Sequence, residues 1–362
     1  MKITFIIYGL GSGGAERAVT GLANYWCHAH EITIITLVKS KPFYELDLKI
    51  KLRHCLEGPK QTTNIYSTFS DGIKRTNRLI NLLRYEQSEV VISFLMKTNM
   101  YALWASKWLH IPCIVSERAN HELNKLPKTQ EKIRDFSYKF MTHLVVQTHG
   151  NKHYYEATIP SQKITVIPNG VSESLQIERS TIEKTKEHII LNVGAFRKAK
   201  AQDNLIRAFA QVANKNWRLV FVGDGSNLTN CINLTQQLGL TEHVQFLGAQ
   251  KNISQYYAKA QIFVFTSRHE GFPNALLEAL YFGVPSISSN CPHGPADMIT
   301  DGENGFLVPV GDVDALAKKM QVLMNSLELR EKFRNKALES TKKYEMEYIA
   351  AQWMEVIKSV TA

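Results

Sequence analysis

The sequence predicts an α/β protein of two domains, each built from a parallel sheet with helices on both faces. Strand-like apolar runs alternate with helical patterns along the chain, which is typical of parallel sheets. The 362 residues suffice for two domains of ordinary size. The alternation lapses from Asn169 to Lys186, where the chain is polar and charged, so we predict a linker there. Two such domains leave a cleft between them, where ligands of open α/β sheets bind.

The predicted first domain spans 1–171 and the second 172–342. In the first domain the predicted elements are strand Ile3–Tyr8, helix Glu16–Ala29, and strands Glu31–Val38, Val90–Phe94, Pro112–Ser116, Leu144–Gln147 and Ile164–Ile167. In the second they are strand Ile189–Val193, helix Gln202–Asn214, strand Arg218–Val222, helix Asn227–Leu238, strands Val244–Leu247 and Ile262–Thr266, helix Pro273–Phe282 and strand Ser286–Ser289. A last helix within about 343–362 carries an apolar face and completes one of the two domains.

Composition and charge restrict the class of protein. The chain is 44% apolar and 21% charged, as in soluble globular proteins, and no apolar run reaches the length of a membrane span. The five cysteines are scattered and lack metal spacing, which favours a reducing cytoplasm and no zinc. Residues 1–171 hold 22 Lys/Arg against 13 Asp/Glu, whereas 172–362 hold 21 against 20. The basic first half indicates an anionic partner: nucleic acid, an acidic lipid surface or a phosphorylated acceptor. The alternative is that this charge serves solubility alone.

The most informative stretch is Thr266–Glu278, TSRHEGFPNALLE. A β-run feeds a short loop and then a helix whose first position can be Pro273, because proline's missing N–H is not needed there. The backbone amides around Gly271–Ala275 and the positive end of the helix dipole then form an anion site. Glu270 precedes this helix and Glu278 lies inside it. A carboxylate beside an anion site suits a ligand with both hydroxyls and phosphates, such as a nucleotide sugar.

A second glycine-rich loop, Gly9–Gly14, follows the first strand and matches the G-x-G-x-x-G spacing. A nicotinamide-binding reading, and with it an NAD-dependent oxidoreductase, needs an acid near the end of the second strand. That strand ends Val38-Lys39-Ser40, without an acid. We predict instead that Gly13 and Gly14 let a phosphate or a sugar approach the backbone closely. A purely structural turn is the alternative.

Several motifs together resemble one enzyme family. These are GSGGAER, VIPNGV at 166–171, NVGAFRKAKAQDNLIRAF at 192–209, FVGDG at 221–225, SRHEGFPNALLEAL with its Glu-x7-Glu pair, CPHGPADMI at 291–299 and DGENGFLVPVGDVDALAKKM at 301–320. In order and spacing they resemble the retaining glycosyltransferases of family 4, which have the GT-B fold. The resemblance covers essentially the whole chain. It is strongest to bacterial enzymes that extend glycans on a polyprenyl-diphosphate carrier, including N-acetylgalactosaminyl transferases.

The resemblance implies that the two domains bind different ligands. The second domain would hold the nucleotide-sugar donor, UDP-linked rather than GDP-linked, and the first domain the acceptor, with the C-terminal helix crossing back to the first. Glu278 would bind the ribose hydroxyls, Glu270 the transferred sugar, and Lys200 the diphosphate. The transferred sugar and the leaving diphosphate would be bound by the backbone of Gly271, Phe272, Pro273, Asn274 and Ala275. Every residue of this segment except the proline offers an N–H.

Two departures from the family pattern affect these assignments. The family's phosphate-binding arginine position is Ala195 here, so Arg197 from a shifted position, or Lys198, is the candidate replacement. Where many relatives have a histidine facing the sugar, this chain has Arg118. Arginine stays protonated and cannot act as a general base, but Arg118 can hold a sugar hydroxyl or the acceptor phosphate. His121, three residues on, is the weaker candidate.

The family resemblance implies front-face attack by the acceptor hydroxyl rather than a double displacement. No cofactor and no metal are expected, since there is no Asp-x-Asp motif and Lys200 with the helix amides can neutralise the phosphates. A non-catalytic glycan-binding relative is an alternative, but it would usually have lost Glu270, Glu278 or Lys200. A nucleotide-sugar epimerase on the same scaffold is a minor one.

The expected partners are a nucleotide sugar, a lipid-linked glycan acceptor and the inner face of the cell membrane, and not nucleic acid. For membrane contact we single out the amphipathic helix Gly72–Glu86, with Lys74, Arg75, Arg78 and Arg84 on its polar side, and the basic segment Lys125–Lys139. An ordinary helix packed on its own sheet is the alternative for 72–86. We therefore expect a cytoplasmic protein that is peripheral on the membrane.

Overall fold

The computed structural model describes residues 1–11, 13–58, 65–118, 127–182, 186–213 and 215–361, with the backbone alone for 65–70. The chain divides into two compact units. The first comprises Met1–Gly170 with Met346–Ala362, and the second comprises Val171–Glu345. The predicted boundary followed residue 171 and gave about 343–362 to the first domain, within a few residues of the observed division.

The first unit is a parallel sheet with helices packed on both faces. Its strands are β1 (Lys2–Ile7), β2 (Glu31–Thr36), β3 (Lys51–His54), β4 (Val90–Phe94), β5 (Cys113–Glu117), β6 (His143–Val146) and β7 (Ile164–Val166). Its helices are α1 (Gly14–Trp26), α2 (Ile65–Tyr85), α3 (Met96–Leu109), α4 (Lys128–Tyr138), α5 (His149–Glu156) and, from the C-terminus, α14 (Met346–Thr361). The strand order is β3-β2-β1-β4-β5-β6-β7.

The strand order of this sheet places the loop after β1 where ligands usually bind. β1 pairs in parallel with both β2 and β4, so the order reverses at β1. Ligands of such sheets bind beyond the carboxyl ends of the strands at the point of reversal. The glycine-rich loop after β1 lies there. β1 and β4 read as continuous apolar runs because both faces of each strand are buried.

An aromatic stack ties the C-terminal helix into the first unit. The ring of Trp353 on α14 stacks on Phe94 of β4, with 6.0 Å between ring centroids. Phe94 contacts Phe5 of β1, which stacks on Trp26 of α1. Gly21 lets α14 approach α1, since a Cβ added there would lie 2.7 Å from the Met346 methyl carbon. The core of the unit therefore includes a helix that follows the second unit in sequence.

The second unit repeats the architecture. Its strands are β8 (Glu187–Val193), β9 (Arg218–Val222), β10 (Val244–Phe246), β11 (Ala260–Phe265), β12 (Ser286–Ser289) and β13 (Gly305–Val308), in the order β10-β9-β8-β11-β12-β13. Its helices are α6 (Glu173–Thr181), α7 (Gln202–Val212), α8 (Leu228–Gln237), α9 (Ser254–Lys259), α10 (Asn274–Tyr281), α11 (Pro295–Met298), α12 (Val313–Asn325) and α13 (Leu327–Ser340). Short 3-10 turns cover Ser161–Lys163, Lys198–Lys200 and Lys342–Tyr344.

The predicted linker is wrong for residues 173–181, which form α6. Ser172 caps this helix, because its hydroxyl accepts a hydrogen bond from the Leu175 amide. Leu175 is buried, and the Arg179 guanidinium donates to the Tyr281 carbonyl oxygen. The Ser254 hydroxyl also donates to the Glu178 carboxylate, so a buried leucine and several polar contacts together dock a helix that is otherwise polar. No helix in the described part of the chain is long and apolar enough to cross a bilayer.

We expect Trp353→Ala to destabilise the first unit by about 3–5 kcal/mol, because it removes a fully buried ring and leaves a cavity. Tyr348→Ala is the matched control on the same helix, since Tyr348 is 52% exposed, and it should cost no more than about 0.5 kcal/mol. Urea unfolding followed by circular dichroism measures both. Equal losses for the two variants would contradict the packing described for α14.

Candidate functional site

The loop between β11 and α10 carries most of the predicted site. Pro273 precedes α10 and caps it, whereas we predicted it as the first helical residue; the helix begins at Asn274. The Asn274 amide donates to the Phe272 carbonyl oxygen, and the Leu276 and Leu277 amides donate to that of Pro273. Among the described residues, no acceptor is found for the amides of Gly271, Phe272 and Ala275. Three amides at a helix N-terminus are thus available to an anion.

A glycine from a neighbouring loop holds this turn in place. Gly294 has φ +119°, and a Cβ there would lie 2.3 Å from Cδ of Pro273. Only glycine allows both the backbone conformation and the approach of the proline ring. The CPHGP segment therefore serves as a support for the helix N-terminus, a role that the sequence motif by itself did not reveal.

Glu270 and Lys200, two of the predicted site residues, contact each other. Lys200 Nζ lies 2.5 Å from Glu270 Oε1. The side chains are 28% and 12% exposed, respectively. Two further hydrogen bonds join their loops, from the Arg268 amide to the Ala199 carbonyl oxygen and from the Thr266 hydroxyl to that of Lys200. The loops after β8 and β11 are thus held together with the cation and the carboxylate side by side.

Glu278 lies on the buried side of α10 and is 6% exposed. A buried carboxylate needs hydrogen-bond partners. The Tyr257 hydroxyl lies 3.0 Å from Glu278 Oε2 and 3.3 Å from the Ala275 carbonyl oxygen. Tyr257 is fully buried on α9. Sequence reasoning missed this residue, because a tyrosine in the short segment SQYYAK carries no recognisable signal.

Cys291 adds a neutral group near the ion pair. Burial, together with the negative charge of Glu270, raises the pKa of its thiol to about 12. The thiol therefore stays protonated at neutral pH and is not a nucleophile. All five cysteines are free and buried.

The candidate phosphate-binding cations after β8 lie in and next to the 3-10 turn Lys198–Lys200. Arg197 is exposed. Lys198 lines a groove with Arg268 and His269, and the other lining residues are Ala199, Asp203, Arg207, Asn227, Asn230, Asn233, Leu234 and Gln237. At Ala195, the backbone carbonyl oxygen accepts a hydrogen bond from the side-chain amide (Nε2) of Gln202 at 3.1 Å. Of these cations, only Lys200 contacts a predicted catalytic residue.

The glycine loop of the first unit has an acidic neighbour. Gly13 caps α1 and Gly14 begins it. A Cβ on Gly13 would lie 2.3 Å from Oε2 of Glu16, so this carboxylate sits over the predicted approach path. A carboxylate repels phosphate and accepts hydrogen bonds from hydroxyls, which favours a sugar over a phosphate here. Ser40, where an NAD site would need its acid, accepts a hydrogen bond from the Leu10 amide at 2.9 Å.

Arg118 lies at the carboxyl end of β5 and is 9% exposed. Its guanidinium lies over the rings of Phe94 and Trp353. Nε donates a hydrogen bond to Ser116 Oγ, and Nη1 donates one to Asn169 Oδ1. Among the described residues, Nη2 has no acceptor. Burial lowers the pKa of Arg118 to about 9, and Glu117 opposes the shift. The group is still protonated at neutral pH. His121, the weaker candidate, lies outside the described residues.

One group of possible metal ligands occurs among the described residues, formed by Cys27, His28 and Asp47 in the first unit. His28 Nδ1 is 3.2 Å from the Lys49 ammonium nitrogen. The Cys27 thiol donates to the Asn24 carbonyl oxygen. A cation at this distance competes with a metal ion for the same ligands, so the group resembles an ordinary surface cluster.

Comparison with solved structures defines the class. The chain matches the lipopolysaccharide outer core galactosyltransferase WaaB with a TM-score of 0.78 at 22% identity, covering 99% of both chains. It matches Anabaena HepE, solved in complex with UDP, with a TM-score of 0.82 at 18% identity, covering 99% of this chain and 100% of the other. The fold is that of the GT-B glycosyltransferases.

Sequence comparison gives the family. Residues 12–175 match the model "Glycosyltransferase Family 4" and residues 174–340 match "Glycosyl transferases group 1". The chain is 34% identical, over 99% of both proteins, to the Campylobacter jejuni GalNAc-alpha-(1->4)-GalNAc-alpha-(1->3)-diNAcBac-PP-undecaprenol alpha-1,4-N-acetyl-D-galactosaminyltransferase. It is 24% identical to the amylovoran biosynthesis glycosyltransferase AmsD of Erwinia amylovora, over 98% of this chain and 99% of that protein. The chain belongs to the glycosyltransferases of family 4 and group 1, as the motifs predicted.

We expect Gly294→Ala to damage the turn before α10 by two separable effects. Forcing alanine to φ +119° costs about 1–3 kcal/mol, and the clash with Pro273 adds about 1–3 kcal/mol. Gly311→Ala is the matched control, because Gly311 also has positive φ but nothing lies within 4 Å of its added Cβ. Thermal unfolding should therefore show the larger loss for Gly294→Ala. If the control loses as much stability, Pro273 does not need this glycine.

Proposed function

We propose that this glycosyltransferase moves an N-acetylhexosamine or hexose from a UDP-linked donor to a glycan on a polyprenyl-diphosphate carrier, in the assembly of a cell-surface polysaccharide or glycoconjugate. The observation that carries the proposal is the Lys200–Glu270 ion pair beside the α10 N-terminus, with Glu278 on the same helix. This arrangement offers a cation and amides to a diphosphate and carboxylates to hydroxyls. A nucleotide sugar has both groups.

The relatives support the choice of acceptor and donor. The names of two Campylobacter jejuni relatives, 34% and 27% identical to this chain, describe transfer of N-acetylgalactosamine to undecaprenol-diphosphate-linked glycans. Among the solved structures of this fold, HepE has been seen with UDP and with UDP-glucose. We assign the donor to the second unit and the acceptor to the first, and expect the enzyme to work on the cytoplasmic face of the membrane.

Glu278 binds the ribose hydroxyls in this proposal, and Tyr257 holds it in position. The Tyr257 hydroxyl lies 3.0 Å from Glu278 Oε2, and this contact fixes the rotamer of the carboxylate side chain. Tyr257 acts through Glu278 and is therefore a positioning residue. Its effect should appear in donor affinity, with little change in the chemical step.

The transfer step uses the charges around the helix N-terminus. The bond between the sugar C1 and the diphosphate oxygen breaks while the acceptor oxygen bonds to C1 on the same face, and the acceptor proton passes to the leaving phosphate oxygen. Lys200 and the amides of Gly271, Phe272 and Ala275 stabilise the charge that develops on the diphosphate. Glu270 accepts hydrogen bonds from the sugar hydroxyls. These groups supply the charge neutralisation for which other enzymes use a divalent metal.

Arg118 is the proposed contact to the acceptor in the first unit. Its Nη2 has no protein acceptor among the described residues, and a buried guanidinium N–H without a partner is costly. A hydroxyl or phosphate oxygen of the acceptor would satisfy it. Glu16, over Gly13, is a second candidate contact for acceptor hydroxyls.

A panel of nucleotide sugars tested by calorimetry checks the donor assignment. Wild type should bind a UDP-sugar. Glu278→Ala should lose about tenfold or more in affinity, because a hydrogen bond to a charged group contributes about 1.5–3 kcal/mol. Tyr257→Phe should raise KM several-fold with kcat nearly unchanged. For a 2′,3′-dideoxy analogue both losses should disappear.

The control for this panel is Glu339→Ala, which removes an exposed carboxylate from the same unit and should bind donor like wild type. Failure of wild type to bind any nucleotide sugar would refute the proposal. A loss that persists with the dideoxy analogue would move Glu278 away from the ribose.

Stereochemistry and metal dependence test the proposed chemistry. An α-linked donor should give an α-linked product, read from the anomeric coupling in the NMR spectrum of the first product formed. The rate should be unchanged in excess EDTA. Lys200→Met should reduce kcat by about a hundredfold or more, as does loss of one charge-stabilising donor in other enzymes. A β-linked product, or activity restored only by added Mg²⁺, would overturn this mechanism.

A further inference from the structure

Helices α3 and α4 expose a cluster of large apolar side chains, which we call the α3–α4 surface. Trp104, Trp108, Ile133 and Phe136 are 41%, 70%, 55% and 52% exposed. Trp104 and Phe136 both contact the partly buried ring of Phe140, and Trp108 and Ile133 lie one helical turn from them on α3 and α4, respectively. Trp104 lies 6.0 Å from Phe136 and 5.0 Å from Phe140, measured between ring centroids. Contiguous exposed apolar side chains of this kind mark an interaction site.

Exposed lysines lie on, or next to, the same two helices as the aromatic side chains. Lys107 places its ammonium group 3.4 Å from the centroid of the Phe140 ring. Lys128, Lys132 and Lys139 on and next to α4 are exposed as well. The two acids of α4, Glu131 and Asp135, both pair with Arg134, at 3.6 and 2.8 Å. The surface therefore presents positive charge around an apolar centre.

The composition of the patch favours lipid over protein. Protein–protein interfaces are enriched in aromatic residues but depleted in lysine. At a bilayer surface the two residue types occur together, because tryptophan prefers the headgroup level and lysine binds anionic lipid while its stem lies along apolar atoms. Amphipathic helices that lie in the interface plane combine these features.

We propose that the α3–α4 surface docks the first unit on the headgroup region of an anionic bilayer. The inference deepens the proposed function, since an enzyme acting on a lipid-linked acceptor has to reach the membrane plane. The proposed function explains why the enzyme would bind a membrane, and the inference rests on it only for that reason. The exposure and charge of the patch stand by themselves.

This surface differs from the one that the sequence favoured. On α2, Leu79 and Leu83 are fully buried in the core of the first unit. Arg78 donates to the Cys55 carbonyl oxygen at 2.7 Å. Ile73, near the start of the predicted segment, is 49% exposed. The apolar side of α2 thus packs on its own sheet. The other predicted segment, 125–139, contributes through its described part, which is α4; Lys125 lies outside the described residues.

Vesicle sedimentation tests the proposal without acceptor or donor present. The vesicles contain phosphatidylcholine alone, or phosphatidylcholine with one-third phosphatidylglycerol. The double variant Trp104→Ser, Trp108→Ser should lower partitioning into the anionic vesicles about tenfold or more. The triple variant Lys107→Gln, Lys132→Gln, Lys139→Gln should lower it roughly a hundredfold, at about fivefold per lysine. High salt should reproduce the lysine effect on wild type.

Two matched controls and one fold check keep the result interpretable. Tyr348→Ser removes an exposed aromatic from α14, and Lys318→Gln removes an exposed lysine from the second unit; both should partition like wild type. Thermal unfolding by circular dichroism shows whether each variant folds. Because Trp104 contacts two rings, the single variant Trp108→Ser, at the more exposed position, serves if the double variant unfolds.

The outcomes that overturn the proposal are specific. Wild type could fail to bind anionic vesicles, or the tryptophan variants could bind as well as wild type. Sedimentation velocity could show a wild-type dimer that Trp108→Ser converts to a monomer, in which case the patch is a protein interface. A failure of the proposed transferase activity would leave vesicle binding unchanged, so the two hypotheses can fail separately.

Discussion

The ion pair between Lys200 and Glu270 organises the candidate site of the second unit. Glu270 is 12% exposed and lies next to a helix N-terminus, so its charge has to be balanced by the protein. A partly buried carboxylate that lost its cation would be left with its desolvation cost. The pair therefore stabilises the ligand-free loop in addition to its proposed part in the reaction. In the proposed reaction an arriving diphosphate would compete with Glu270 for the same ammonium group.

The backbone around this pair is held in conformations that few residues adopt. Ala201, directly after Lys200, is fully buried and has φ +48°, which is rare for a residue with a Cβ. Gly294 takes φ +119° against the ring of Pro273. Such positions persist only where the surrounding packing requires them, and they concentrate at functional sites. Here they fix the ends of two loops whose side chains meet, so the geometry of the site is set by backbone as much as by side-chain contacts.

The parts predictable from sequence are those with a local signal. Strands such as Val90–Phe94 and Arg218–Val222 have the predicted bounds, since continuous apolar runs identify buried parallel strands. Lys200, Glu270 and Glu278 were singled out from motifs that resemble the family, and the structure places Lys200 against Glu270. Tyr257 and Gly294 were not assigned roles, because their partners are 21 residues away in sequence in each case. The helix at 173–181 was missed because its stability comes from Leu175 and Arg179 docking on the second unit, and not from its own pattern.

The structure shows where part of the excess positive charge of the first half of the chain lies. A basic composition by itself leaves nucleic acid, lipid and phosphorylated acceptor as possible partners. Family membership accounts for the basic charge without a nucleic-acid partner. The apolar face of α2 is buried in the core, so lipid cannot bind there. Helices α3 and α4 carry exposed lysines together with exposed tryptophan and phenylalanine side chains, and the Lys107 ammonium group lies over the partly buried ring of Phe140. Charge attracts a protein to an anionic surface over about a Debye length, whereas rings that enter the headgroup layer fix its depth. A surface with both properties can bring the first unit to the membrane and hold it at the depth where a diphosphate carrier presents its glycan.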